Sequence, residues 1–477
     1  ITVGANGGAA IAVASGQASS AIALRTGENA IEIVVTAENG AKKTYTVIVT
    51  REAAAPVNPG NGNGNGGGAN VPVAPGSSDS DVSGVGTVAT EVVNGRSVAT
   101  ITLDAQKLEE RLAAEGRGAV IALPVSAEAD VVVGALSGSM LRSMEQAEAA
   151  LSLQTADAGY SLPAKLLKVQ ALANIFGQDV ALEDVNIEIE IAAPTTEMMS
   201  IVEIAAAGGR LLFVAPPVSF KVRATYGDTS IEISKFDTYV ERFIAIPEGV
   251  DPATVTTGVV VDAKGGVRQV PTKIVEENGR YVAKMNSLTN SVYALISNAV
   301  RFEDMEGHWA EATVTDMGAR MIVQGSGDGK FDPDRNITRA EFVALLVRGL
   351  GLGASEYDGG FTDVAGKEWY SGVVQTAYEY GLIGGFEDGS FRPNEMLTRE
   401  QAMRIIAEAM KLTGLAARLT ERPAEDVLQA YGDASEIAPW ALSGIASSVQ
   451  AGIVSGRDGG KLAPKAYMTR AEVAAII

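Results

Sequence analysis

Over the first fifty residues apolar and polar positions alternate with a period of two. Ile31, Ile33 and Val35 point one way, and Glu32, Val34 and Thr36 the other, as in half-buried strands. Glu38-Asn39-Gly40 supplies turn chemistry, and Lys43 to Thr50 alternates again, with Tyr45, Val47 and Val49 on one face. Residues 53–82 carry no period at all. Dense Gly, Asn, Pro and Ser cannot offset the entropy of ordering, which predicts a flexible linker. Strand-like runs resume at Val98–Leu103, Val120–Leu123, Val131–Val133, Ile187–Ile191, Leu211–Val214, Val218–Ala224, Arg242–Ile246, Val259–Val261 and Val292–Ile296. Helical spacing appears at Ala105–Ala114, Ser139–Ala149 and Ala164–Phe176. Strands dominate the later part, so residues 83–300 predict a β-rich α+β arrangement and not a doubly wound sheet.

From residue 301 the pattern becomes helix, Gly/Asp-rich loop, helix, three times over. Trp309, Trp369 and Trp440 are the chain's only tryptophans, and each stands 30 residues before an arginine: Arg339, Arg399 and Arg470. Gly325, Gly385 and Gly456 precede that arginine by 14, and Pro333, Pro393 and Pro464 by 6. Spacing this regular is an internal repeat. The first helix is predicted near the Trp, as in Ala310–Met321, and the second opens at Thr338, Thr398 or Thr469. Thr338 with Glu341, Thr398 with Gln401 and Thr469 with Glu472 each fit a capping box. Asp328-Gly329, Asp388-Gly389 and Asp458-Gly459 supply the turns between. One helical pair buries little alone, so three units are expected to share a core.

Composition narrows the chemistry. The 477 residues hold 38 Lys+Arg, 58 Asp+Glu, one His and no Cys, a balance of −20. No Cys removes disulfide scaffolds, zinc ribbons and thiol catalysis. One His argues against a histidine metal site or general base, and His308 aligns with Glu368 and Pro439 in the other units. The acidity opposes nucleic acid as a partner, and no stretch approaches the ~20 apolar residues of a membrane span. Calcium is tested by Asp332, Asp334 and Asn336. Ile337 and Val343 stand where an EF-type loop needs Gly and Glu, so no metal is expected. Glu188 and Glu190 flank Ile187, Ile189 and Ile191, which reads as the wet face of one strand. Because it opens on Ile1 inside strand-like sequence, the chain reads as an internal piece of a longer polypeptide.

Thr338-Arg339-Ala340-Glu341, Thr398-Arg399-Glu400-Gln401 and Thr469-Arg470-Ala471-Glu472, each after a Gly-rich loop, closely resemble the S-layer homology (SLH) family. The resemblance covers 301–477, in repeats of about 301–353, 360–414 and 430–477. It implies a pseudo-threefold α-helical domain that binds secondary cell-wall polysaccharide, often bearing pyruvate-ketal sugars, in grooves between repeats. Arg399-Glu400-Gln401 departs from the pattern at its last two residues, which puts the second groove in question. The run TGENAIEIVVTAENGAKKTYTVIVTRE resembles the closing hairpin of bacterial cadherin-like β-sandwich domains. That implies a partial sandwich over 1–52. The sequence from Tyr226 to Val261 resembles a region that precedes wall-anchoring repeats in Gram-positive surface proteins, with no activity attached. The fold expectation is therefore multidomain: a partial all-β sandwich, a β-rich α+β middle domain and an α-helical pseudo-threefold repeat domain.

Within each repeat the arginine follows the Thr N-cap, at the positive end of the helix dipole, where a cation is disfavoured by about 0.3–1 kcal/mol. Three such arginines are expected to serve an external anion that meets free N–H groups and a guanidinium fork. The alternative is an ion pair to an acid of the neighbouring repeat. Trp309, Trp369 and Trp440 fit core packing first and stacking on a sugar second. Asp304, Asp363 and Asp433 fit helix-entry or turn caps, with acceptance from sugar hydroxyls as a second role. Gly325, Gly385 and Gly456 are expected to allow φ > 0 after the first helix, and to let a sugar approach closely. The function expected is non-enzymatic, cofactor-free anchoring of an extracellular S-layer or cell-surface protein to anionic wall polysaccharide. Two alternatives stand beside it: a wall-anchored enzyme such as a glycoside hydrolase, and an adhesive or lattice-forming subunit that self-associates.

Overall fold

The computed structural model describes residues 2–5, 11–12, 25, 27–36, 42–51, 80–82, 84–177, 179–209, 211–457 and 460–477. The expected turn at 38–40, most of the linker (53–79) and Asp458-Gly459 lie outside these residues. Residues 1–74 and 75–477 form two separate compact units. In the first, Thr2–Ala5, Ile11–Ala12, Gly27–Thr36 and Lys42–Arg51 make one four-stranded antiparallel sheet. Its long hairpin pairs Ile31 with Val47 and Ile33 with Tyr45 in antiparallel register.

In the second unit the middle region is two sheets around one core. Six strands run in the order Thr272–Glu277, Arg280–Thr289, Lys235–Ala245, Ala158–Pro163, Ala150–Gln154, Val120–Pro124. The larger sheet is built on Thr257–Val261, Val292–Ser297, Val218–Tyr226, Asn186–Ala192, Val131–Ser137, Arg96–Leu103 and Gly86–Val93. Ile101, Leu136, Ile189 and Val222 from the larger sheet share a buried cluster with Leu123, Leu153, Tyr160 and Met285 from the smaller. Glu188 and Glu190 face Arg223 and Lys221 across one strand pair, with Arg223 2.8 Å from Glu188. This is a neutralised ionic face, not a carboxylate pair aimed at a substrate.

Several elements differ from the sequence expectation. Ala164–Phe176 is not one helix: a 3-10 turn at Ala164–Leu166 gives way to Val169–Phe176, because Lys168 between them is left-handed at φ 49°. The Ser139–Ala149 helix stops at Gln146, and Ala150 already opens a strand. The helix Thr196–Gly209 was not expected. It lays Val202 on Val259, Val261 and Ile296, covering the outer face of the larger sheet. The hairpins at Asn94-Gly95 and Asn278-Gly279 were also missed. Both turn residues have φ > 0 in each, the signature of a two-residue primed turn that Asn-Gly announces.

The repeats sit directly on this middle region. Their helix pairs are α1 (Glu311–Ala319) with α2 (Arg339–Gly349), α3 (Ser371–Glu379) with α4 (Arg399–Leu412), and α5 (Leu442–Gln450) with α6 (Arg470–Ile476). A helix leaves its last carbonyls unpaired, and here middle-region donors supply the partners. Asn298 Nδ2 donates to Ala319 O at 2.7 Å. Gln269 Nε2 donates to Gly349 O at 3.0 Å, Tyr239 Oη to Leu350 O at 2.5 Å, and Arg268 to Gly351 O. Leu288 of the middle region joins the buried cluster of the repeats.

Candidate functional site

Three helix pairs become one ring through their backbone. Ile337 N donates to Met468 O, Met468 N to Leu397 O, and Leu397 N to Ile337 O, at 2.9 to 3.1 Å. All three side chains are fully buried, and they mark the pseudo-threefold axis. The residue that follows each of them caps a helix. Thr338, Thr398 and Thr469 all form complete capping boxes with Glu341, Gln401 and Glu472.

The ring also spends the helix N–H groups that an anion was expected to meet. Arg339 N and Ala340 N donate to Glu395 O and Pro393 O, both at 2.9 Å. Arg399 N and Glu400 N reach Ala466 O and Pro464 O, and Arg470 N and Ala471 N reach Arg335 O and Pro333 O. Each helix start is thus tied to the loop of the next repeat, one to two, two to three, three to one. The expectation of free N–H groups is corrected: ring closure consumes them.

The arginine side chains follow the same cyclic order, yet they are not equivalent. Arg470 is 4% exposed. Its Nε donates to Phe331 O at 2.8 Å and Nη2 to Gln324 O at 2.9 Å, while Nη1 lies 3.2 Å from Glu341. Arg399, 3% exposed, repeats the pattern with Leu462 O at 2.8 Å, Ser455 O at 3.2 Å and Glu472 at 3.5 Å. These two make the ion pair to a neighbouring acid that stood as the alternative. The acid is the capping-box Glu of the next repeat.

Arg339 has no such partner, because the equivalent residue is Gln401. Among the described residues its side chain makes one long hydrogen bond, to Gly384 O at 3.5 Å, and its buried Nε makes none. The guanidinium rests between Phe386 and Phe391, 5.1 Å from each ring centre. Burial pulls it below the ordinary arginine value; Glu395 opposes that and Arg392 adds to it. Of the three repeat arginines, Arg339 is the one whose guanidinium makes no ion pair among the described residues.

The groove around Arg339 is larger than that around Arg470. It encloses about 980 Å³, bounded by the Gly384-Gly385-Phe386 loop, Gln401, Arg404 and Trp440. The groove of Arg470 holds about 300 Å³, with Arg335, Glu341 and Trp369 on its wall. Both of these grooves take their arginine from one repeat, their loop from the next and their tryptophan from the third. Core packing is ruled out for the tryptophans: Trp309, Trp369 and Trp440 are 66%, 61% and 54% exposed. His308 is half-buried and accepts from Ala310 N at 3.1 Å.

The aspartates and glycines serve the loops. Asp304 accepts from Phe331 N and Asp332 N at 2.8 and 2.7 Å, Asp363 from Phe391 N and Arg392 N, and Asp433 from Leu462 N and Ala463 N. Of the two capping roles expected, they fill that of a loop cap and not that of a helix cap, each oxygen accepting one backbone N–H. The clamp holds Asp332, Arg392 and Ala463 left-handed at φ 56°, 60° and 50°. Gly325, Gly385 and Gly456 do not have φ > 0. That conformation falls four residues earlier, at Met321, Gly381 and Gly452. The glycines are required by close approach. A Cβ on Gly325 would meet Lys330 O at 2.8 Å, and one on Gly456 would meet Lys461 O at 3.0 Å.

The clamps of Asp304 and Asp433 are expected to make their loops acid-sensitive. Burial would raise the Asp433 carboxyl, but the Leu462 and Ala463 N–H groups outweigh it and hold it below the ordinary range; Asp304 behaves likewise. A depressed carboxyl contributes stability above the unfolded value of about 3.9, and that contribution is lost as pH falls through the folded value. Thermal scans from pH 7 down to pH 3 are expected to show stability falling below about pH 4. Asp433→Ala should lose about 2 kcal/mol at pH 7, and should flatten that acid dependence.

Comparison with known proteins agrees with this geometry. The S-layer homology domain family matches residues 301–343, 360–403 and 430–474, and the cadherin-like beta sandwich domain family matches 2–52. The chain is 33% identical over 192 residues to Exoglucanase XynX of Acetivibrio thermocellus, covering 40% of this chain and 17% of that protein. It is 30% identical over 195 residues to the surface-layer 125 kDa protein of Lysinibacillus sphaericus, covering 40% and 16%. With the middle cell wall protein of Brevibacillus brevis the identity is 38% over 104 residues, covering 21% and 10%. The chain thus spans less than a fifth of the length of each of these relatives. An interlocked ring of three helical pairs, matched repeat by repeat, identifies residues 301–474 as three S-layer homology repeats, carried on a chain that also has a cadherin-like beta sandwich domain at 2–52.

Proposed function

We propose that the repeats hold this cell-surface protein to the cell wall by binding an anionic secondary wall polysaccharide, and that the groove of Arg339 carries most of the affinity. One observation supports this above the rest. Arg339 is the one groove arginine whose neighbouring capping-box residue is not a carboxylate, and its Nε is buried without a partner. A carboxylate-bearing sugar, such as a pyruvate ketal, would supply the missing charge. Trp440, on the same wall, would offer a flat face to the sugar ring. Arg399 and Arg470, already bonded within the ring, act in this reading as structural ties. Trp369, on the wall of the Arg470 groove, would give that groove a weaker neutral contact.

Charge sets a further condition. The repeat region carries 26 acidic and 17 basic residues, so it does not attract a polyanion by net field. Recognition must come from a locally uncompensated cation at short range. Removing pyruvate ketals from purified wall polysaccharide by mild acid tests this. Retention of the whole chain should fall to background on the treated polymer, and undiminished retention would overturn the role of the carboxylate.

The names of several relatives are those of glycan-degrading enzymes, but their matches cover about 40% of this chain. In the middle region the paired glutamates Glu188 and Glu190 are tied to Arg223 and Lys221. Anchoring is the reading the geometry favours.

A further inference from the structure

The groove of Arg339 does not end at the repeats. Lys411, in the last turn of α4, lines that groove and also a second cleft of about 490 Å³. The far wall of the second cleft belongs to the middle region: Tyr239, Pro271 and Asn286. Arg418, at the end of the 3-10 turn Ala416–Arg418, completes it.

Its chemistry is unlike that of the surrounding surface. The chain carries −20, yet Lys411 and Arg418 line this cleft and no carboxylate does. Lys411 has a local explanation, since a cation in the last helical turn is favoured by the dipole and Glu408 lies 2.8 Å away. Arg418 has none. It is exposed and makes no ion pair among the described residues. The amide of Asn286 is likewise without a hydrogen bond to the protein among those residues, and is free for a hydroxyl. Hydrogen bonds from Tyr239, Gln269 and Arg268 to the α2 carboxyl end and the two residues after it fix the middle region against the repeats. The wall of the cleft is therefore held in place.

We propose that this cleft is a second subsite for the anionic glycan. A chain seated at Arg339 continues over Lys411 into the cleft, where Arg418 meets a further acidic sugar and Asn286 a hydroxyl. The inference rests on the anchoring reading above. It adds that the middle region is part of the binding surface and that affinity grows with glycan length.

Titration calorimetry on the whole chain tests it, with size-fractionated oligosaccharides of purified Gram-positive secondary wall polysaccharide as the probe. The wild-type chain should bind fragments of several repeating units about tenfold more tightly than single units, the gain of a linked second site. Arg418→Glu should remove that gain and leave single-unit affinity unchanged. Equal affinity for short and long fragments, or an Arg418→Glu variant that keeps the gain, would overturn the second subsite. The anchoring reading falls separately, if Arg339→Ala still binds single units with wild-type affinity.

Discussion

Arg470→Ala is expected to destabilise the repeat ring by about 3 kcal/mol, the cost of breaking a buried, hydrogen-bonded charge pair. The side chain is 4% exposed and ties repeat three to repeat one through Phe331 O, Gln324 O and Glu341. Truncation leaves two carbonyls, that of Phe331 buried, without this donor and part of the Glu341 charge uncompensated, although Arg335 stays within 2.6 Å of that carboxylate. Because this seam closes the ring, the loss should appear as an earlier unfolding transition in calorimetry of the whole chain. Arg399→Ala should behave in the same way, with Arg457 holding Glu472 at 2.7 Å. An unchanged transition would mean that these arginines are not structural ties.

Gln401→Glu is expected to have the opposite effect on stability and a large effect on binding. Glu at this position lies 3.2 Å from the arginine in one seam and 3.5 Å in another. Restoring it beside Arg339 would satisfy the stranded guanidinium from within the protein. The transition temperature should rise modestly, while affinity for the anionic glycan should fall about tenfold, or 1.4 kcal/mol, as the internal carboxylate competes. A substitution that brings the repeat closer to the family pattern would thereby weaken its function. If affinity rose, the guanidinium would not be the anion's partner.

Much of this ring was legible in the sequence because its local parts are local. Three capping boxes and the 30-, 14- and 6-residue spacings need only neighbouring residues, and all three boxes form. What the spacing could not show is which repeat faces which. Arg470 meets Gln324 and Phe331 across 146 and 139 positions, and that pairing exists only once the ring closes. For the same reason Gln401 read as a defect of its own repeat, whereas its consequence falls on Arg339. Glu400, the other departure, binds Lys465 at 2.7 Å and accepts from Ala438 N, reinforcing the seam between repeats two and three. The glycines failed for a different reason. A sequence marks a position as needing Gly without saying whether φ or a close neighbour demands it, and here a loop carbonyl does.

In the middle region the runs of apolar residues placed the central strands, but the strand containing Arg242 hid its oddest member. Arg242 is fully buried, stacked 4.7 Å from the Tyr160 ring and 5.0 Å from Tyr293. It donates to Val240 O, Thr289 O and Asn290 Oδ1. Burial raises the Tyr160 hydroxyl to about 12 even beside this cation. Strand alternation could place Arg242 on a face; only the packing of two sheets shows that the face is the core.

The most direct test is the binding isotherm of purified anionic wall polysaccharide with the whole chain and its Arg339→Ala variant, at equal stability and fixed salt. Binding carried by an uncompensated guanidinium should weaken at least about 30-fold, some 2 kcal/mol, with the unfolding transition nearly unmoved. An Arg339→Ala chain that binds the polymer as tightly as the wild type would contradict the account.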